Sequence, residues 1–286
     1  MFIKFEDILR DEVINNRYIE NIEKDNFYKK YDCVVMSAYM NSKLDPQRNI
    51  KIDGSDFNYI KDWYFSVKKH KLHAIVFHDH LSDNFIKKYS TDRIIFRKVR
   101  MGKQSINDER FIIWYRYLLY NPYKYILTTD ISDVVINTDP FSYVKNNGDN
   151  KKIFIGTNTT HAGEPKIRNK HWFDKREHKL TQFNSFKSKI YPIRYEFHTY
   201  QLYNPGLLSG YLIPILMILS EVNKIHLEMK KPNNFNMITF NYLIHTFLME
   251  GNNKDNYNTN YIISGEPFNS RYKMFNNELN NYLIHK

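Results

Sequence analysis

Between residues 32 and 130 the chain alternates short, continuously apolar runs with segments of helical period, and this alternation restricts the fold more than any other feature. DCVVMSAY (32–39), HAIVFHD (73–79), RIIFRKV (93–99) and YILTTD (125–130) have the length and apolar density of strands buried on both faces. In SDFNYIKDWYFSVKKH (55–70), Phe57, Ile60, Trp63, Tyr64 and Val67 share one helical face, and Ser55 is the expected N-cap. SINDERFIIWYRYLLYN (105–121) begins with Ser105 and has Asp108 three residues on, close to a capping box, and it stops at NPY. Strands alternating with helices in this way predict a doubly wound α/β sheet.

Further along, VVINTDPF ends in a Pro-Phe turn and KIFIGTN (152–158) reads as another strand. NPGLLSG (204–210) is expected to be a Gly-bracketed turn opening the helix YLIPILMILSEVNKIHLEM, and NMITFNYLIHTFLME (236–250) is a further helix. YIISGEPF (261–268) predicts a last short strand, and the Asn-rich tail carries no clear signal. The first 30 residues suit a peripheral helix. Residues 159–203 have no sustained period and are rich in His, Lys, Arg and aromatics, which marks a substrate-facing insertion. One domain spanning 1–286 is expected.

Lys plus Arg exceed Asp plus Glu by 42 to 31, so the formal net charge is +11 and an anionic partner is favoured: nucleic acid, anionic membrane or a phosphorylated small molecule. The Lys-Lys pairs at 29–30, 68–69, 87–88, 151–152 and 230–231 are spread along the chain without forming a stripe, which reads as a solvated surface. Cys33 is the single cysteine and cannot form an internal disulfide, so a reducing compartment is expected. The longest apolar run, YLIPILMIL, is too short to cross a bilayer, and a soluble, cytoplasmic protein with no transmembrane segment is expected.

The chemistry centres on YILTTDISDVVINTDPF (125–141), where an apolar strand ends by presenting Asp130 and Asp133 on a turn. Ligands of open α/β sheets bind outside the carboxyl ends of the strands. Mg²⁺ and Mn²⁺ are commonly held by one or two carboxylates plus phosphate oxygens, which two acids three apart on a turn can supply. As turn residues, the same acids would cap backbone amides or pair with surface cations. In HDH, His78, Asp79 and His80 are strand neighbours that point to opposite faces, so they do not make a metal site by spacing.

The stretch from Ser105 to Thr157 resembles the metal-binding segment of nucleotide-sugar-dependent glycosyltransferases of the GT-A fold: a helix with Arg, a strand, an acid pair, then V-V and a D-P-F turn. NPGLLSG and the NMITFNYLIH helix add to the resemblance. It implies a single GT-A-like domain whose mostly parallel, Rossmann-like central sheet is flanked by helices. The implied activity moves a sugar from a nucleoside-diphosphate donor, a UDP-sugar favoured, to an acceptor hydroxyl on a glycan, protein or lipid. Asp130 and Asp133 are the implied catalytic pair, holding Mn²⁺ or Mg²⁺ to stabilise the leaving diphosphate, with Asp130 also near the ribose.

By the same resemblance Arg110 reaches the phosphates or donor sugar, with Arg116 competing for that role. Ser37, Ala38 and Tyr39 occupy the donor-gripping loop, with Tyr39 a candidate for stacking on the base. Asn204, Gly206 and Ser209 form the acceptor wall, and Asn236 stands where the family's helix often begins with an acid. The motif departs from the usual D-x-D, since Ser132 takes the second acid's place. That substitution also disfavours a haloacid-dehalogenase-like phosphatase, which needs an Asp there.

His161, His171, His178 and His198 are candidate third ligands or acceptor contacts, and Glu164, Asp174 and Glu196 are candidate bases. The competing expectation is a basic, aromatic-rich nucleic-acid-binding protein without catalysis, which is disfavoured.

Overall fold

The four apolar runs form β1 (Cys33–Tyr39), β2 (Ala74–His78), β3 (Ile94–Lys98) and β4 (Tyr125–Thr129), all mutually parallel. The computed structural model describes residues 18–46, 48–161, 201–228, 234–249, 262–264, 268–271 and 281–285. Every residue of β2 and β4 is buried, as strands covered on both faces must be, and this is why these runs show no alternation. Helices α1 (Phe27–Lys30), α2 (Lys61–Lys69), α3 (Asp83–Tyr89) and α4 (Ile106–Tyr120) precede or connect them.

Beyond β4 come β5 (Val134–Ile136), α5 (Pro140–Asn147), β6 (Ile153–His161), β7 (Gln201–Tyr211), α6 (Leu212–Glu228), α7 (Asn236–Met249) and three short strands, β8 (Ile262–Ser264), β9 (Asn269–Arg271) and β10 (Leu283–His285). The main sheet has the order β3-β2-β1-β4-β7-β6-β8, with β7 antiparallel to both neighbours. A second sheet, β5-β10-β9, forms beside it. This is a mostly parallel α/β architecture flanked by helices, as expected.

Helix α4 shows how local and tertiary signals agree. Ser105 Oγ accepts the Asp108 N–H at 3.2 Å, the cap that the sequence predicts. Phe111, Ile112, Trp114, Tyr115 and Leu118 are all fully buried, so the helix is apolar around most of its circumference because it is covered on several sides. Asn223 of α6 donates to the Phe111 carbonyl at 3.2 Å, tying the two helices together.

Three expectations are corrected. NPGLLSG is the interior of β7, not a turn into a helix, and the helix starts only at Leu212. Pairing on both sides decides this, with Leu127 opposite Ser209 and Phe154 opposite Ser209 as well. Ser55 does not cap α2: its hydroxyl donates to Asp53, and Asp56 caps a short 3₁₀ turn at Phe57–Tyr59 ahead of the helix. YIISGEPF does not hold the last strand: β9 follows it, and the tail contributes β10, which pairs with β5. The expected N-terminal helix and most of the 159–203 insertion lie outside the described residues.

Three buried histidines make stability sensitive to acid. Burial lowers His73 and His78 to about 4 and His226 to about 3, from an ordinary 6.5. Below pH 6.5 the unfolded chain therefore takes up protons that the folded chain refuses. Asp108 acts in the opposite sense, because burial pushes its carboxyl up to about 7 and the folded chain keeps a proton that the unfolded chain releases. The sum favours the histidines. Melting temperature is expected to fall steadily from pH 6.5 toward pH 4.5, each fully engaged proton contributing about 1.4 kcal/mol per pH unit. A flat or rising profile over that range would contradict this account.

Candidate active site

Asp130 leaves the carboxyl end of β4 at the place where the sheet changes from parallel to antiparallel. Its backbone N–H donates to the Gly206 carbonyl of β7 at 2.8 Å. Between β6 and β7 the register jumps, from Ile155 opposite Leu208 to Gly156 opposite Asn204, so Pro205, Gly206 and Leu207 have no partner on that side. The irregularity tolerates a proline, which has no N–H to give, and brings Gly206 against Asp130. A Cβ at 206 would overlap the Asp130 carboxylate, so any larger residue there has to push that side chain off its place. Asn204 Oδ1 accepts the Gly206 N–H at 2.8 Å and fixes the bend.

Arg110, in the first turn of α4, pairs through Nη1 with Asp130 Oδ1. Its guanidinium lies 5.4 Å from the ring centroids of Phe111 and Trp114. Arg116 instead lies along Tyr120, so of the two arginines expected on this helix it is Arg110 that pairs with Asp130. Two residues earlier on α4, Asp108 accepts the backbone N–H groups of Phe235 and Asn236, at 3.2 and 2.8 Å, and thereby anchors the start of α7. The first turn of α4 thus holds the site on one side and a helix terminus on the other.

Asp133 takes a hydrogen bond from Ser132 Oγ at 2.9 Å and faces Arg48, whose Nη2 lies 3.4 and 3.5 Å from its two oxygens. Arg48 is also paired with Asp45 at 2.9 Å. Burial raises the Tyr59 phenol, a hydrogen bond with Ser132 opposing it. Arg48, Asp45 and Tyr59 come from the segment after β1 and are absent from the sequence-based list.

The remaining expectations divide. Ser37 is buried with its hydroxyl on the Thr129 carbonyl at 2.7 Å, joining β1 to β4, and Ala38 packs against the core. Tyr39 is fully buried, stacked on Tyr59 at 5.0 Å, with its hydroxyl shared between the carbonyls of Asp53 and Asp56. Its ring has no open face in this structure. Gly206 and Asn204 meet Asp130, whereas Ser209 is buried on the Ile126 carbonyl at 2.7 Å and Asn236 is buried at the start of α7.

His78 Nδ1 accepts the Leu81 N–H at 3.3 Å, and Asp79 accepts the N–H groups of Asn41 and Ser42, so HDH shapes loops. The side chain of His161, together with His171, His178, His198, Glu164, Asp174 and Glu196, lies outside what is described.

Among the described residues no group of three or more His, Cys, Asp or Glu side chains gathers to hold an ion. A hard dication that also takes phosphate oxygens needs one or two carboxylates. Asp130 and Asp133 have side chains 22% and 29% exposed, so their oxygens suit that donor type, each with an arginine as present counter-charge.

No protein-family model and no curated protein matches the chain. Among solved structures it is similar to the galactosyltransferase LgtC in complex with donor and acceptor sugar analogs, with 13% sequence identity and a TM-score of 0.41 over 88% of this chain and 86% of that one. A likeness of that degree assigns neither substrate nor residue roles.

Proposed function

We propose that this chain is a glycosyltransferase that moves a sugar from a nucleoside-diphosphate donor, a UDP-sugar favoured, to an acceptor hydroxyl. The observation that supports it best is the Asp130 carboxylate, pinned between Arg110 and Gly206 outside the carboxyl ends of the parallel strands. In this reading residues 1–286 form one catalytic domain in the cytoplasm, and the 159–203 segment faces the substrate.

Asp130 and Asp133 would hold Mn²⁺ or Mg²⁺, which as a Lewis acid neutralises charge developing on the departing diphosphate. Arg110 orients the Asp130 carboxylate and limits its rotation. Arg48 ties the loop after β1 to Asp133, so that loop and the acid turn respond together. Gly206 and Asn204 set the wall against which Asp130 rests, and the acceptor approaches from that side.

Melting the protein with UDP, GDP or CDP, each with and without Mn²⁺, tests the reading. A nucleotide at about 100 times its dissociation constant should stabilise the fold by about 2.7 kcal/mol, a shift of several degrees. The shift should require metal, select one base, and vanish in Asp133→Ala. No shift with any of the three nucleotides would sink the proposal.

A further inference from the structure

The Lys-Lys pairs of the sequence are far apart along the chain, yet four of them, at 29–30, 68–69, 87–88 and 151–152, belong to one edge of the molecule. The cause is topological. Each connection in a parallel sheet returns to the amino end of the next strand, so the last turns of α1, α2, α3 and α5 and the residues just ahead of the parallel strands share that edge. β6 belongs to the set, because it is antiparallel to β7, which is antiparallel to β4. Lysine in the last turn suits the helix dipole, and the fold sums that local preference into one charged face.

Ring contacts show the strand ends side by side. Lys30 of α1 and Arg93 ahead of β3 each lie 5.2 Å from the centroid of Tyr31. Lys124, ahead of β4, and Lys145 of α5 lie 5.3 and 5.2 Å from the centroid of Tyr125. The acids there are fewer than the cations: Asp149, 4.0 Å from Lys152, Asp32 and Asp92 beside strand starts, and Asp139 near Cys33 at the start of β1. The opposite edge, which carries Asp130 and Asp133, is mixed in charge.

We propose that this amino edge docks on the surface of an anionic lipid bilayer, leaving the candidate site facing water. The cations are almost all lysines, compact charges strung along successive strand ends, which is how polybasic surfaces engage anionic headgroups. Half-buried Tyr28, Tyr31 and Tyr211 lie among them, amphipathic rings suited to the headgroup layer. A nucleic-acid strand is a poorer fit, because bases need open ring faces and those of Tyr31 and Tyr125 are taken by cations. This inference does not depend on the transferase reading.

Co-sedimentation with vesicles of phosphatidylcholine plus phosphatidylserine, against phosphatidylcholine alone, tests it. The protein should partition onto the anionic vesicles and be released by salt. Each lysine neutralised should weaken binding about five-fold, so Lys29→Gln/Lys30→Gln/Lys124→Gln/Lys145→Gln should lose on the order of hundreds-fold. Lys51→Gln/Lys61→Gln, at exposed positions on the opposite edge, should bind as the wild type does. Equal binding to neutral vesicles, no wild-type partition, or an equal loss in the control pair would overturn the proposal. Binding of a fluorescent oligothymidylate through the same four lysines, without vesicle binding, would overturn it in favour of nucleic acid. The salt and lipid dependence of the wild type decides the matter even if the fourfold variant folds poorly.

Discussion

Gly206→Ala is expected to disable the candidate site while leaving the sheet assembled. The new Cβ would fall on the Asp130 carboxylate, and the backbone has little room to yield: the Gly206 carbonyl accepts from Asp130 and its N–H donates to Asn204. Relief comes from moving the carboxylate off Arg110, whose side chain is only 10% exposed. Separating a fully buried pair costs about 3–5 kcal/mol, and partial exposure of Asp130 reduces this to about 2 kcal/mol. The larger effect falls on function. Under the proposed function, nucleotide- and metal-dependent stabilisation should disappear, and transfer should drop about a thousandfold, equivalent to about 4 kcal/mol of transition-state stabilisation. A variant that kept the full metal-dependent melting shift would show that Asp130 is not where donor and metal meet.

Asp108→Ala is expected to have the largest effect on stability. The carboxylate accepts from Phe235 N–H, Asn236 N–H and Ser105 Oγ, all buried, and its loss strands donors that no water reaches. Each stranded buried donor costs about 1–3 kcal/mol, so a loss of about 4 kcal/mol is expected. In a chain of this size that lowers the melting temperature by about 10 °C. Asp108→Asn keeps the shape and one acceptor, and should lose about half as much. It also removes the group whose protonation offsets the histidines, so its stability should fall more steeply with acid than that of the wild type. If Asp108→Ala melts like the wild type, α7 does not depend on this anchor.

What the sequence discloses follows from how each element is stabilised. β1 to β4 are legible because strands buried on both faces must be apolar throughout, and α4 because its cap is local. β7 is illegible for the complementary reason: Asn-Pro-Gly satisfies every local rule for a turn, and pairing with β4 and β6 overrides them. β9 and β10 are three residues long, too short to show a period. At the site, Asp130 is singled out by its place at a strand end, whereas Arg110 is singled out only by the family resemblance. Arg48 reaches Asp133 from a loop with no distinctive pattern. Tyr39 and Ser37 share the expected region but are buried, a distinction of depth that a linear pattern does not carry. The lysine edge likewise exists only once the strand order is known.

The place of β7 also sets the order in which the site is made. β1 to β4 all lie in the first half of the chain and can pair before the second half is made, but β4 keeps an open flank until β7 arrives, after α5, β6 and residues 162–200. Asp130 and Gly206 therefore meet in a late step, when a strand from the second half of the chain wedges between β4 and β6. Until then the nascent protein holds its acids on a turn with no wall behind them.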